Sequence, residues 1–515
     1  MKHGKNVDLL IINPGNAVQV YQSLGLGISA YEPPVWAGLL ATFMRLHGFS
    51  VEMIDANAEG FGPKSVADLT EEMDPLLTAV VVYGHQPSAS TQNMPAASAV
   101  CHSIRQVNSS RKTILIGGHV AALPGRTLQE EPVDFVCGGE APYTLLDLIK
   151  VLKSNRNAFS EVRGLWYREN GQVRSTRPAP LVADLNGEMP GVAWDLLPMG
   201  KYRAHNWHCF GYEDRQPYAS LYTTLGCPFH CTFCCIQAPF KSGEQELGYG
   251  KEINSYRYWN PEKVMEQIDT LVQTYGVKHL KFADEMFVLN KSHVSAICDL
   301  LIERDYKLNI WTYARVDTVK EGMVEKLKKA GVNWLAFGIE SGSKRIRTGI
   351  GKKFEQDEIV NVIKEVRQAG INVIANFIFG IPDDNYDTMQ DTLDLALSLN
   401  CEFVNFYTMM AYPGSALYHR AAKEGWKLPK KWSGYSQHSF DALPLATKYV
   451  SAEEIVEFRD RAFQTYFNSP AYVNLIQKKF GTETLRQIRE MTSHKLARQS
   501  VPETQKSKSH LSSAA

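Results

Sequence analysis

The sequence predicts an α/β fold in successive parts: a doubly wound parallel sheet, an open partial barrel of six βα units, and a helical C-terminal region. Two observations carry this. Short β-branched runs alternate with helical stretches up to residue 153, and the same alternation resumes at about 216. Buried strands separated by helices of that length form βαβ units around parallel sheets. Composition agrees, since 44% hydrophobic and 21% charged residues lie in the globular range. At roughly 150 residues per domain, 515 residues leave room for three to four domains.

In the first part, residues 1–153, strands are predicted over 8–12, 50–55, 78–83, 113–116 and 134–137. Helices are predicted between and after them over 34–47, 65–73, 91–108 and 143–153. The loops at the carboxyl ends of these strands are unusual: Asn13-Pro14-Gly15, Gly84-His85-Gln86-Pro87-Ser88, Gly117-Gly118-His119 and Gly138-Gly139-Glu140. Parallel sheets bind ligands outside that edge, and glycine lets backbone approach a ligand closely. Residues 154–215 read as a connector with one hairpin, 164–168 against 172–175, turning at Asn170-Gly171. The barrel, 216–424, has predicted strands over 220–224, 279–282, 309–313, 334–338, 372–379 and 403–408. Its helices are predicted over 261–275, 291–304, 320–330, 356–368 and 386–398. Six units suit an open barrel rather than a closed eight-unit one, with function at the strand C-termini. Helices follow over 452–467 and 482–491 in a region spanning 425–500, and the Ser-, Lys- and Ala-rich tail 501–515 is expected to be disordered.

Lys and Arg total 55, as do Asp and Glu. A balanced chain lacks the positive excess expected for nucleic-acid or anionic-membrane binding. No apolar run reaches the roughly 18 residues of a spanning helix. The N-terminus enters a strand without a signal peptide, so a cytoplasmic location is expected.

Nine cysteines are too sparse, and odd in number, for a disulfide scaffold. Cys101, Cys137, Cys209, Cys298 and Cys401 are scattered and read as small buried thiols. Cys227, Cys231, Cys234 and Cys235 instead crowd into nine positions after the first barrel strand. Three thiolates on one tight loop bind three irons of a cubane and leave the fourth open. A structural zinc takes four ligands, usually as two separated pairs, and no second Cys-x2-Cys pair exists here.

The spacing Cys227-x3-Cys231-x2-Cys234, with Phe233 before the last cysteine, resembles the signature of the radical S-adenosylmethionine (SAM) superfamily. The resemblance implies a [4Fe–4S] cluster whose open iron chelates SAM, and reductive cleavage of SAM to a 5′-deoxyadenosyl radical. Cys227-Cys231-Cys235 is the alternative register; the family spacing favours Cys234. By the same resemblance Asp284 or Glu285, with Glu285 favoured, contacts the SAM amino group. Arg315 pairs with the SAM carboxylate, Glu340 is a further polar contact, and Gly380 lies beside the adenine. Arg315 with Asp317 as a surface pair, and Asp284 as a helix cap, are the structural alternatives.

The N-terminal part resembles the Rossmann-like cobalamin (B12)-binding domain fused to many such enzymes. Pro33-Pro34, Gly48-Phe49-Ser50-Val51 leading to Asp55, Gly117-Gly118-His119 and Gly139-Glu140 carry this likeness. It implies cobalamin contacts from Ser88, Gly117, Gly118, His119, Gly139 and Glu140. The Asp-x-His-x-x-Gly motif that supplies a lower axial histidine elsewhere is absent. His85 and His119 are read as loop hydrogen-bonders or cobalt contacts.

The implied activity is cobalamin-dependent methylation of an unactivated carbon, or a phosphinate, of a small metabolite or natural-product precursor. Radical oxidation or cyclisation without methyl transfer is the alternative. A tRNA methylthiotransferase would need extra cluster cysteines and a basic module, and a cobalamin carrier leaves the three cysteines unexplained. An electron donor such as flavodoxin or ferredoxin is the expected partner, with no nucleic acid. Trp426, Trp432, Tyr435, Tyr466 and Phe467 either pack as core or cover the barrel mouth.

Overall fold

The computed structural model describes residues 7–15, 22, 29–84, 86–154, 156–320 and 322–499. His85 and the tail 501–515 lie outside them. The N-terminal sheet contains β1 (Leu9–Asn13), β2 (Val51–Asp55), β3 (Leu77–Val82), β4 (Thr113–Gly117) and β5 (Phe135–Cys137). These run parallel in the order β2-β1-β3-β4-β5. Alternate side chains leave opposite faces of a strand. Leu9 and Ile11 accordingly pack into one core with the helices Val35–Leu46 and Pro142–Lys153, and Leu10 and Ile12 into a second with Ala89–Val107. Sheets of this order bind ligands at the switch between β1 and β3.

The hairpin predicted inside the connector forms, as β6 (Leu165–Glu169) and β7 (Gln172–Ser175). Both residues of its turn have positive φ, Asn170 at 51° and Gly171 at 78°, as a two-residue primed turn requires. It is not a free connector element. β6 pairs antiparallel with β5, so the N-terminal sheet has seven strands, and the hairpin covers an edge that β5 would otherwise expose.

The barrel sheet runs β8 (Tyr218–Leu221), β11 (His279–Phe282), β12 (Asn309–Ala314), β13 (Val332–Glu340), β14 (Asn372–Phe379) and β15 (Phe403–Thr408). All five pairings are parallel, and β8 and β15 are the two edges, so the barrel is open. The first predicted barrel strand is split. β8 ends at Leu221, and β9 (Thr224–Gly226) pairs instead with β10 (Tyr256–Tyr258) in a separate antiparallel ladder. Asp284 Oδ1 accounts for the break: it accepts from the Thr223 amide at 2.9 Å, the Thr223 hydroxyl at 3.1 Å, the Thr224 hydroxyl at 2.6 Å and the Thr224 amide.

Helices Pro261–Tyr275, Lys291–Arg304 and Gln356–Gln368 match the predicted spans. Pro261 opens the first, where its missing N–H costs nothing, and Gly276 closes it in the left-handed conformation. The C-terminal helix Ala452–Phe467 starts at a Ser451–Glu454 capping box. Pro470–Ser493 begins twelve residues before the predicted 482, and Gly481 (φ 86°) breaks it into two helices. No helix among the described residues is long and apolar enough to cross a membrane.

Three contacts join the N-terminal part to the barrel part. Glu140, after β5, pairs with Arg257 on β10 at 2.5 Å. Ser242 Oγ donates to the Gly138 carbonyl at 3.1 Å. Glu32, ahead of the first helix, pairs with Lys281 on β11 at 3.1 Å.

Candidate functional site

The cysteine loop leaves β9 at Gly226, whose φ is 87°. A Cβ there would run into the Ser255 carbonyl, so only glycine can turn the chain into Cys227 at this point. Hydrogen bonds then fix the loop. The Cys227 amide donates to Gln237 Oε1 (3.3 Å), Asn254 Nδ2 to the Phe229 carbonyl (2.9 Å), and the Leu417 amide to the Thr232 carbonyl (2.8 Å). Cys227, Cys231, Cys234 and Cys235 all face one cavity of about 1040 Å³.

Burial pushes the Cys227 thiol up to about 12 and raises the Cys234 thiol well above its ordinary range, so a positively charged metal must supply what holds them as thiolates. Among the described residues no three His, Cys, Asp or Glu side chains gather closely enough to hold a single ion. Thiolates that each bind a different iron are held apart by the cube itself, so the loop's chemistry fits a cubane. Arg315 adds a hydrogen bond, with Nη1 3.5 Å from Cys231 Sγ, and its guanidinium lies 3.8 Å over the Phe229 ring. Phe233 lines the same cavity and packs against Ile346, Ile350 and Ile378.

The two carboxylates after β11 have separate tasks. Asp284 is buried bracing Thr223 and Thr224 and caps no helix. Glu285 faces the cavity, where burial first, opposed by Lys281, pushes its carboxyl up to about 8. Arg315 is buried, not a surface residue, and Nε and Nη2 each lie 2.9 Å from Asp317 carboxylate oxygens. Glu340, at the end of β13, has φ 69°, a strained conformation for a non-glycine. Lys352 holds it there by bridging the Gly338 carbonyl (2.6 Å) and the Glu340 carboxylate (2.5 Å). Gly380 lies outside the cavity wall: its missing Cβ faces Ile455, and its amide donates to Asp384 Oδ2 at 3.1 Å.

The N-terminal loops divide. Ser88, with Gln86, Pro87 and Gln92, lines the 1040 Å³ cavity opposite the cysteine loop. Gly118 lines a smaller gap of about 40 Å³ between the sheets, with Tyr83, Trp36 and Glu285. A Cβ on Gly118 would meet nothing nearer than Ser90 at 3.7 Å. Among the described residues, Trp36 Nε1 and the Tyr83 hydroxyl are buried beside this gap without hydrogen-bond partners, as befits donors awaiting a polar ligand. A cobalamin at this sheet edge therefore fits Ser88, Gly118 and these two side chains.

The remaining residues assigned to cobalamin are committed elsewhere. A Cβ on Gly117 would strike the Val82 carbonyl, which explains that glycine by strand packing. A Cβ on Gly139 would come within 3.2 Å of Ser242 Oγ, and Glu140 is held by Arg257 and by the Val182 amide at 2.9 Å. His119 is buried, lies 3.1 Å from the Thr91 hydroxyl and packs edge-on to Trp432; burial drops its pKa to about 3. Trp426, Trp432, Tyr435, Tyr466 and Phe467 do not line the cavity. Phe463, Gln464 and the segment 491–496 line its outer wall instead. The sequence alone did not single out Lys281, which is paired with the buried Glu32 behind it, the paired amides Asn376 and Asn405, or Arg459, which line the cavity. A polar residue inside an otherwise apolar strand was the available signal for Asn376 and Lys281.

Comparison with known proteins agrees with this geometry. The model of the radical SAM superfamily matches residues 221–396, and that of the B12 binding domain matches 24–149. An uncharacterized methyltransferase of Pyrococcus horikoshii is 28% identical over 85% of this chain and 88% of its own. The anaerobic magnesium-protoporphyrin IX monomethyl ester cyclase of Cereibacter sphaeroides is 24% identical over 85% of this chain and 67% of its own. Two solved structures share the fold. The radical SAM methyltransferase TsrM of Kitasatospora setae, solved with cobalamin and a [4Fe–4S] cluster, has TM-score 0.67 at 15% identity over 95% of this chain and 100% of its own. The cobalamin-dependent SAM radical enzyme OxsB has TM-score 0.68 at 18% identity over 95% of this chain and 71% of its own. A cysteine loop in an open barrel, facing the ligand edge of a parallel sheet, thus has both family models behind it: the chain carries a radical SAM domain over residues 221–396 and a B12-binding domain over residues 24–149.

Proposed function

We propose that this protein is a cobalamin-dependent radical SAM methyltransferase acting on a small molecule. One observation supports this above the rest: the cysteine loop and the Gln86–Ser88 loop of the B12-binding domain line the same cavity. When bound, the cluster supplies the electron that splits SAM to a 5′-deoxyadenosyl radical, and cobalamin carries a methyl group. Cys227, Cys231 and Cys234 hold the cluster, and Arg315 donates to Cys231. Glu285 takes the SAM amino group, since Asp284 is bound to Thr223 and Thr224. Glu340, set by Lys352, is a further polar contact. The enclosing walls keep water from a reactive substrate carbon. A small reductant protein such as flavodoxin or ferredoxin delivers the electron.

Two variants test the assignments separately. Glu285→Ala is expected to weaken SAM binding by about tenfold or more, because a charged group loses its partner in a buried site. Equilibrium dialysis with labelled SAM reads this, and an unchanged Kd would reassign the contact. Gly118→Phe fills the gap beside Tyr83 and Trp36, so hydroxocobalamin is expected no longer to copurify while iron content is kept. Cobalamin retained at wild-type stoichiometry would place it elsewhere.

Turnover with SAM deuterated at the methyl group tests the reaction. The expected result is labelled product, with S-adenosylhomocysteine and 5′-deoxyadenosine in equal amounts. Substrate-dependent 5′-deoxyadenosine without S-adenosylhomocysteine or label would instead mark radical oxidation or cyclisation, the activity named for the Cereibacter relative.

A further inference from the structure

We infer that the substrate carries an anionic group, a carboxylate or a comparable oxyanion, on a largely apolar body, and that Arg459 receives that anion. This rests on the methyltransferase reading and names its substrate class. Three buried cations of the cavity wall each have a carboxylate of their own: Lys281 has Glu32, Arg315 has Asp317 and Lys352 has Glu340, while Arg461 and Lys495 also line it but are exposed. Arg459 is the exception among the buried ones. Its Nη1 lies 2.8 Å from Asp460 Oδ1, but Asp460 is also gripped by both Nε and Nη2 of Arg498, so one carboxylate serves two guanidiniums.

Arg459 is also built into place. Its side chain is 8% exposed, and Nε donates to the Phe406 carbonyl at 2.9 Å. Among the described residues Nη2 has no hydrogen-bond partner. A buried guanidinium with an open N–H beside a cavity is a carboxylate receptor by geometry and charge. Its surroundings set the rest of the ligand. Phe403, Phe406 and Met409 present apolar surface, while Asn405 Nδ2 donates to Asn376 Oδ1 at 2.9 Å, so the two amides form a polar rung between β14 and β15.

The placement suits a substrate rather than SAM. Arg459 is anchored to β15, the edge of the barrel sheet opposite β8, which leads into the cysteine loop. Glu285 stands at the cluster side, and Arg459 contributes surplus positive charge on the far edge. A substrate anion held at Arg459 would extend its apolar body towards the site where SAM is cleaved.

The test uses the full chain and one probe pair of equal shape: indole-3-propionate and its neutral amide, each titrated by calorimetry. The acid is expected to bind about tenfold more tightly than the amide. Arg459→Gln is expected to bring the two affinities together, and Arg459→Lys to retain part of the difference. Equal affinities in the wild-type protein, no saturable binding of the acid, or a preference unchanged in Arg459→Gln would each overturn the inference. The wild-type comparison needs no variant to fold. Cluster assembly and SAM cleavage by the wild-type protein test the functional reading independently, so failure of one is distinguishable from failure of the other.

Discussion

Replacing Cys227, Cys231 or Cys234 by alanine is expected to abolish the iron–sulfur cluster, while Cys235→Ala leaves about four irons and four sulfides per chain. The physical reason is that each thiolate closes one iron's coordination, and the Cys227-x3-Cys231-x2-Cys234 spacing leaves Cys235 outside the set. Arg315 is a cation, and Glu285 is the nearest carboxylate in the same wall, with its carboxyl pushed up to about 8. Iron and sulfide analysis after anaerobic reconstitution, with electron paramagnetic resonance of the reduced protein, reads the outcome. Loss of the cluster in Cys235→Ala with retention in Cys234→Ala would move the ligand set to the alternative register.

The second large effect is structural. Arg257 and Glu140 form a buried pair across the two sheets, 8% and 2% exposed at their side chains. Arg257 also donates to the Val182 carbonyl at 2.6 Å. Arg257→Leu leaves the Glu140 carboxylate buried without its counter-charge, which costs about 3–5 kcal/mol. The midpoint of denaturant unfolding is expected to fall accordingly. Adding Glu140→Gln to Arg257→Leu is expected to recover part of the loss, since the orphaned charge is then gone. A single variant as stable as wild type would show that the pair does not hold the sheets together.

That pair also marks where the sequence was hard to read. The loop Gly138-Gly139-Glu140 has the composition of a ligand loop and stands at the ligand edge of the sheet. Its partner Arg257 is 117 residues away, and no local pattern announces it. The strands and most helices were legible because their apolar periodicity is local. The split of the first barrel strand was not, because it depends on Asp284 reaching back some 60 residues to Thr223 and Thr224. The cysteine loop at the cavity was legible from spacing alone. Arg459 was not: in the run Phe458-Arg459-Asp460-Arg461 it looks like one of two surface arginines, and only its bond to the Phe406 carbonyl sets it apart. His119 and Trp432 come from parts of the chain far apart in sequence, and their contact excluded neither reading of either residue beforehand.

The central claim is that the cluster and cobalamin share one cavity formed between the two sheets. Electron paramagnetic resonance on protein holding both the reduced cluster and cob(II)alamin tests it most directly, because both centres are then paramagnetic. A resolved magnetic interaction between them is expected, lost in Gly118→Phe protein that binds no cobalamin. Two spectra that simply add, with both centres at full occupancy, would contradict it.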